Sequence, residues 1–446
     1  MTATIIVGGG LSGLVRGHLL AGRGRDVRVL EATDRVGGAA RTEKVEGYLL
    51  ELGPNTVRPT PEIWDLVLEL GLKESALLAD PRLPRYIEFE GTLHELAPGP
   101  QTLVKTRLLS TAGKFRLLRE PFVARGSDPQ ETVHDFFSRR LGPQVAERLV
   151  APFVSGIWAG DAKALSASAS FPRLFAWERQ HGSLVRGAFA SRPRASQKAA
   201  PKTRTPKGLL SFREGMETLP RALEARLGSR LKTGCRVNAI RQAARGFRVE
   251  TDREVLEADE VVVATPAGDA ARLLEPLDPE AARALAAIPQ PPLAVLHLSW
   301  PVEAFPRPLR GFGHLVVPSS GRRVLGAVWS SSLFPSRAPA GQTLLTVFIG
   351  GARDPGAAQL PDEALADLAA RDLSAVLGVR DAPRIVRVTR YARAIPQYDR
   401  EHDSRMKALE QAEARSKGLT FIGNYRGGIS VGDVVRNAAA VAEAEA

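Results

Sequence analysis

The chain has 446 residues, 44% of them apolar and 25% charged, proportions that exclude wholesale disorder and a collagen-like or fibrous class. Its length exceeds what one core usually organises and predicts two or three structural units. The net charge of +12 fits a nucleic-acid surface, an anionic membrane surface, an acidic substrate or plain arginine richness.

Taken in chain order, Met1 to Val7 lacks a basic start followed by a long apolar stretch and reads as a strand rather than a signal peptide. Strand Ile5 to Gly8, a helix from Leu11 to about Ala21 and strand Val27 to Glu31 give a β-α-β start. Helical spacing follows at Glu62 to Leu70, Leu103 to Leu118 and Thr132 to Leu149, between proline-rich and glycine-rich turns.

Between Glu178 and Glu214 there is no acidic residue, while Arg179, Arg186, Arg192, Arg194, Lys198, Lys202, Arg204, Lys207 and Arg213 accumulate among prolines and serines. That composition predicts a flexible basic loop over about 186–207, suited to anionic phospholipid head groups. No aromatic residue lies between Arg192 and Lys207 and no nucleic-acid-binding signature is recognisable, so a nucleic-acid partner is not expected. No uncharged apolar stretch reaches roughly 18 residues, and any membrane contact is therefore expected to be peripheral.

From about Cys235 to Pro266 successive strands are predicted, with a hairpin at Arg245-Gly246 and a buried strand at Glu260 to Ala264. Cys235 is the single cysteine. It excludes an internal disulfide or a cysteine-built metal site, points to a reducing, cytoplasmic compartment, and reads as a small buried apolar residue. Further strands are predicted at Leu293 to Trp300, Phe312 to Val317, Val324 to Ser330, Leu344 to Gly350 and Arg384 to Tyr391, with a helix over Asp362 to Leu377 between the last two. Strand Leu419 to Ile422, a glycine turn and a helix from about Asp433 then repeat the opening pattern. His297 and His314, each alone in a strand, read as hydrogen-bonded structure, and Asp433 as a helix cap.

Gly8-Gly9-Gly10-Leu11-Ser12-Gly13 carries GxGxxG between the first strand and first helix. Gly8 permits the tight turn, Gly10 lets a pyrophosphate approach the backbone, and Gly13 lets helix and strand pack closely. Glu31 follows 18 positions after Gly13, near the roughly 20 expected of a carboxylate that accepts from a ribose hydroxyl, and it disfavours a 2′-phosphate. A second glycine pair then comes in Glu31-Ala32-Thr33-Asp34-Arg35-Val36-Gly37-Gly38. This run resembles the signature of the flavin amine oxidase superfamily.

Further segments are Glu51-Leu52-Gly53-Pro54-Asn55, Phe153 to Asp161, Leu165-Ser166 and Phe171-Pro172, then Gly311 to Val316, Phe348 to Gly351, Ile395 to Tyr398, Gly423 to Tyr425 and Gly428 to Asp433. In their order and spacing these resemble the protoporphyrinogen oxidase family, and the likeness covers nearly all of the chain, from about Thr4 to Ala440. The resemblance implies an α/β fold, α+β overall. A discontinuous Rossmann-like FAD-binding domain (1–80, 208–270 and 410–446) would accompany an inserted mixed-sheet substrate domain (271–409) and a largely helical, membrane-facing subdomain (81–207).

It further implies FAD as cofactor. The pyrophosphate would lie on Gly8 to Gly13, and the adenosine on Glu31 and Val237. Ala32, Arg35 and Gly38 belong to the matching run. The flavin ring would lie near Ala39, Gly53, Pro54, Asn55, Thr56, Ile429, Ser430 and Val431. Arg85 would meet a substrate propionate, Gly156 would offer a backbone contact to a tetrapyrrole, and Phe312, Leu315 and Phe348 would form apolar walls. One departure is clear. The family commonly has Asn before the aspartate and Cys after it, whereas this chain reads Val431-Gly432-Asp433-Val434, so no thiol role is expected there.

No Ser-His-Asp set, metal-ligand cluster or Walker-type loop is visible, so the chemistry is expected to rest on the flavin, with no catalytic side chain. The resemblance implies oxidation of protoporphyrinogen by oxygen. Coproporphyrinogen III oxidases of the same fold are the nearest alternative. Amine oxidases typically place a lysine near flavin N5, and no lysine occurs between Lys232 and Lys407, which argues against them. A carotenoid desaturase or a non-catalytic porphyrin or flavin carrier remains open, and so does a homodimer.

Overall fold

The structure is a computed structural model that describes residues 3–96, 106–191 and 205–444. A five-stranded, all-parallel sheet has the order Leu419–Phe421, Glu260–Val263, Ala3–Val7, Asp26–Leu30, Leu231–Lys232. The central strands Ala3–Val7 and Glu260–Val263 are apolar runs because both faces are covered, whereas Asp26–Leu30 exposes Asp26 and Arg28. Ile6, Val29 and Val262 pack with Leu14 and Val15 of helix Leu11–Gly22 on one face. Ile5, Val7, Val261 and Val263 pack on the other with helices Ala267–Leu274 and Pro279–Ala286. Strands from the start, middle and end of the sequence share this sheet, so the Rossmann-like unit is discontinuous, as expected.

The second sheet has seven strands in the order Arg384–Tyr391, Leu293–Pro301, Gln342–Gly350, Val324–Val328, Gly313–Val316, Arg85–Phe89, Thr92–Leu96. All neighbours are antiparallel except Gly313–Val316 with Arg85–Phe89, which are parallel. Leu296, Leu298, Leu345 and Val347 pack on one face with helix Asp362–Leu377. Side chains alternate along a strand, so Val295 and Phe348 belong to the opposite face, beside Ala159 and Leu325.

Several boundaries differ from expectation. The span 81–207, expected to be largely helical, supplies a hairpin to this sheet, Arg85–Phe89 with Thr92–Leu96, which joins it through the parallel pairing of Arg85–Phe89 with Gly313–Val316. Helix Thr132 to Leu149 instead ends at Leu141 and resumes after Gly142, whose φ of +97° breaks it. A π-turn at Ala146–Val150 then leads into helix Ala151–Trp158. The basic loop does not start at Arg186, which lies in helix Leu184–Ala190. Arg192, Arg194, Lys198, Lys202 and Arg204 fall outside the described residues, as does Leu103, and the helix expected over Leu103 to Leu118 begins only at Thr111, where the Ser110 hydroxyl caps it. The last helix begins at Val431 rather than Asp433.

The helices around Val133–Leu141 and Ala151–Trp158 bury Phe136, Phe137, Val154 and Trp158 against Leu165 and Tyr398. A fully buried ion pair, Arg140 with Glu120, anchors them. Glu120 also accepts from the Ser183 hydroxyl at 2.6 Å and the Leu184 amide at 2.8 Å. Among the described residues no helix is long and apolar enough to cross a membrane.

Candidate functional site

The first glycine turn is built around close approach. Gly8 has φ +113°, and a Cβ on Gly13 would stand 2.0 Å from the Gly8 carbonyl oxygen. Around Gly10 the corresponding position has nothing within 4 Å, which leaves the helix N-terminus open to an anion. Leu11 and Ser12 are buried in the first turn of the helix behind it. Glu31 stands across from the turn: Oε2 accepts from the Gly9 amide at 2.7 Å, and Oε1 from the Thr33 amide and hydroxyl at 2.9 and 2.7 Å. A carboxylate has about four acceptor positions, so one remains for a ribose hydroxyl.

The second glycine pair lies against the first. The Gly37 amide donates to the Gly9 carbonyl at 2.8 Å, and Arg35 clamps the turn by donating to the carbonyls of Val36 and Gly38 at 3.3 and 2.9 Å. Gly38 and Ala39 are exposed and Ala32 is half-buried. The Gly234 and Cys235 amides donate to the carbonyls of Thr33 and Glu31 at 2.7 and 2.9 Å, which runs Val237 past the Glu31 end. Cys235 is buried in the core, as expected.

Farther along, Gly53 abuts Ala39 so closely that a Cβ would lie 1.9 Å from the Ala39 carbonyl oxygen. Asn55 Nδ2 donates back to the Gly53 carbonyl at 3.3 Å, and Pro54 and Thr56 are half-buried beside it. Ser430 caps the last helix through a reciprocal pair: its hydroxyl accepts from the Asp433 amide at 3.1 Å, and its amide donates to the Asp433 carboxylate at 3.3 Å. Asp433 is thus the third residue of a capping box and not the cap itself. Ile429 packs toward the helical cluster and Val431 toward the Rossmann core. Tyr398 fixes the loop before this helix, donating to the Asn424 carbonyl at 2.8 Å and accepting from the Gly428 amide at 3.0 Å. Burial pushes its phenol pKa well above the ordinary value.

A second wall comes from the seven-stranded sheet. Register places Leu315, Gly326 and Phe348 side by side across three strands, and Gly326 leaves the middle of that row without a side chain. Helix Ala151–Trp158 packs on the first two of these strands, Gly313–Val316 and Val324–Val328. Gly156 meets Leu315 there, and a Cβ on it would be 2.1 Å from Leu315 Cδ2. Arg85 lies opposite Gly313, with its guanidinium 5.4 Å from the Phe312 ring centre. Partial burial, with the positive charge of Arg58 nearby, pulls the Arg85 pKa below its ordinary value. Neither arginine has a carboxylate partner among the described residues. Phe312 itself packs with Leu209, Val328 and Phe334.

The two histidines are structural. Burial lowers both pKa values to about 4. His297 Nε2 lies 3.1 Å from the Glu51 carbonyl oxygen, and Trp329 Nε1 donates to His314 Nδ1 at 3.2 Å. No group of three or more His, Cys, Asp or Glu able to hold a metal occurs among the described residues.

Sequence reading missed Arg58, Gly326, Glu51, Arg337 and Tyr398 as parts of this region. Only Glu51 and Tyr398 carried a signal, since both lie in segments that bore the family likeness. The FAD fit rests on four observations: the open space at Gly10, the spare acceptor on Glu31, the paired glycine turns and the exposed Ala39 beside Gly53. These suit a long dinucleotide that needs two close approaches to backbone.

The Flavin containing amine oxidoreductase family model matches residues 11–444. Protoporphyrinogen oxidase 1 of Spinacia oleracea chloroplasts is 35% identical, over 97% of this chain and 82% of the spinach protein. Protoporphyrinogen oxidase of Bos taurus is 32% identical over 97% and 96%, and coproporphyrinogen III oxidase of Bacillus subtilis (strain 168) 29% identical over 99% and 97%. Among solved structures, a provisionally named protoporphyrinogen oxidase of Exiguobacterium sp. 255-15 superposes with a TM-score of 0.80 at 24% identity, covering 100% of this chain and 98% of that one, which speaks to the fold. Full-length family and sequence matches, together with a dinucleotide cradle that suits FAD, show that the chain belongs to the flavin-containing amine oxidoreductases, in their protoporphyrinogen oxidase branch.

Proposed function

We propose that this FAD enzyme oxidises protoporphyrinogen IX to protoporphyrin IX, with oxygen as the electron acceptor. The observation that carries this reading is Arg85: a guanidinium without a carboxylate partner among the described residues, over Phe312, beside the apolar row Leu315, Gly326 and Phe348. A porphyrinogen is an apolar macrocycle with carboxylate corners, and an apolar slot with an arginine near it matches that chemistry. When bound, FAD supplies hydride acceptance and reoxidation by oxygen, in three two-electron rounds.

The side chains bind and orient. Gly8 to Gly13 would hold the pyrophosphate, Glu31 and Val237 the adenosine, with Ala32, Arg35 and Gly38 shaping the turn between. Ala39, Gly53 to Thr56 and Ile429 to Val431 would face the ring. Arg85 would take a propionate, Gly156 would bring the helix backbone close to the macrocycle, and Leu315, Phe348 and Phe312 would exclude water. No side chain is needed as an obligatory acid or base, because positioning supplies the protein's share of the rate. The domain division 1–80, 208–270 and 410–446 against 271–409 and 81–207 is part of the same reading, with strands Arg85–Phe89 and Thr92–Leu96 joining the sheet of 271–409.

Arg85→Ala is expected to raise the Michaelis constant about 10- to 100-fold, as loss of a charge-assisted hydrogen bond would, with FAD stoichiometry intact. An unchanged constant rejects the assignment. Coproporphyrinogen III is the second reading, favoured by the Bacillus relative and by the second cation at Arg58. Turnover of the two porphyrinogens side by side, with oxygen uptake followed, decides between them.

A cytoplasmic protein that sits peripherally on a membrane is also proposed. Phe115, Leu118, Phe122 and Phe189 are 65%, 70%, 83% and 60% exposed. Helix Leu184–Ala190 packs against the Phe122 turn, and Arg119 and Arg186 are exposed with them. Binding to anionic vesicles is expected to weaken as salt rises, and Phe122→Asp to reduce it further. Co-sedimentation indifferent to salt would count against this surface.

A further inference from the structure

The substrate sheet grips two consecutive residues of the nucleotide side. His297, in strand Leu293–Pro301, lies 3.1 Å from the Glu51 carbonyl oxygen. Tyr391, at the end of strand Arg384–Tyr391, donates its hydroxyl to the Leu52 carbonyl at 3.0 Å. Arg337, in the turn Pro335–Arg337, reaches the Glu51 carboxylate at 3.1 Å. The two charged side chains are 4% and 2% exposed.

This pair is satisfied from several elements. Glu51 accepts from the Thr42 hydroxyl at 2.8 Å and from the Met216 amide at 3.0 and 3.2 Å. The same Arg337 nitrogen that meets Glu51 donates to the Ser211 hydroxyl at 2.7 Å and the Phe212 carbonyl at 3.1 Å. Burial raises the Glu51 pKa to about 7 even though the Arg337 charge opposes the shift, so desolvation is not fully offset. A pair of this kind is weak as a source of stability, and its best-attested use is to fix registry. What it registers is visible in the chain: Gly53, pressed against Ala39, begins one residue after Leu52. A small cavity lined by Glu51, Asn55, Ser330 and Arg337 joins the pair to that turn.

We propose that Glu51 and Arg337 are positioning residues that together set the Gly53–Thr56 turn, and the flavin ring it faces, against the substrate sheet. The inference rests on the proposed porphyrinogen oxidation, and it concerns residues that never touch the substrate. The grip comes from both sides of the proposed site: Glu51 lies two residues before Gly53, in the segment that would face the cofactor, and Arg337 follows strand Val324–Val328, which carries Gly326. A shift of either would move the Gly53–Thr56 turn relative to the substrate sheet, and misplacement by about 1 Å costs on the order of 100-fold in rate.

The decisive variant is Glu51→Gln with Arg337→Met, which removes both charges and leaves no buried ion unpaired. Three quantities are read on the full chain: FAD binding by fluorescence titration, the visible absorption bands of the bound flavin, and anaerobic bleaching by protoporphyrinogen at increasing concentration. The expected result is stoichiometric FAD, displaced flavin bands and a limiting bleaching rate about 10- to 100-fold lower, with half-saturation changed by less than about twofold. Arg337→Lys, which keeps the charge but loses the planar fork, is expected to recover part of the rate.

Wild-type bands and a wild-type limiting rate in the double variant would overturn the assignment. If that variant does not fold, Arg337→Lys with unaltered bands and rate overturns it equally. Wild-type protein that porphyrinogen does not bleach would sink the proposed substrate instead. The flavin bands of the variants would still report on the pair.

Discussion

Gly13→Val is expected to yield a protein that carries no flavin and does not recover it when soaked in excess FAD. The added Cβ would stand 2.0 Å from the Gly8 carbonyl oxygen and 3.2 Å from Ala264 Cβ. The first obstacle is backbone, so no rotamer change relieves it, and helix Leu11–Gly22 must move away from strand Ala3–Val7. Overpacking of this sort costs about 1–3 kcal/mol or more, and the helix N-terminus that would face the pyrophosphate moves with it. Flavin absorbance per mole of purified protein measures the outcome. Gly22→Ala is the control, since its Cβ would meet nothing within 4 Å in the same helix, and it should remain yellow. A yellow Gly13→Val protein with full FAD stoichiometry would refute the assignment of the glycine turn.

Arg140→Met is expected to be the most destabilising single change outside the nucleotide site. Arg140 and Glu120 are both fully buried, and removing the cation strands a carboxylate. Breaking a buried pair in this way costs about 3–5 kcal/mol, a large part of the roughly 5–15 kcal/mol that typical domains possess. Burial alone would raise the Glu120 pKa. The Ser183 hydroxyl, the Leu184 and Val185 amides and Arg140 outweigh it and hold the value below the ordinary carboxylate range. The sign follows: this stabilisation is full above the unfolded carboxylate pKa and is lost as pH falls through the lower folded value. Thermal unfolding followed against pH should show the wild-type midpoint dropping on the acid side, with Arg140→Met already low at neutral pH. A midpoint within a degree or two of wild type at neutral pH would refute the role given to the pair. The helices it anchors include Val133–Leu141, next to the one that carries Gly156 over Leu315.

Both changes act through contacts of different range, and range decides what could be read in advance. The β-α-β start was legible because its information is local: β-branched runs, a 3.6-residue period and glycines at fixed offsets specify strand, turn and helix within about thirty residues. The hairpin at Arg245-Gly246 and helix Asp362–Leu377 were legible for the same reason. That the hairpin Arg85–Phe89 and Thr92–Leu96 belongs to the seven-stranded sheet was not legible, because it joins that sheet only through the pairing of Arg85–Phe89 with the distant Gly313–Val316.

The sequence by itself determined the paired glycine turns, the place of Glu31 at the end of the second strand and the discontinuous Rossmann-like unit. Only the tertiary structure decided that Glu51 meets Arg337 across 286 positions and that Tyr391 holds Leu52 across 339. It also decided that Gly326 separates Leu315 from Phe348. Periodicity fixes which face of an element is apolar, but nothing in a strand's own residues names its neighbour. Register and charge pairing are settled when sheets and helices close around shared cores.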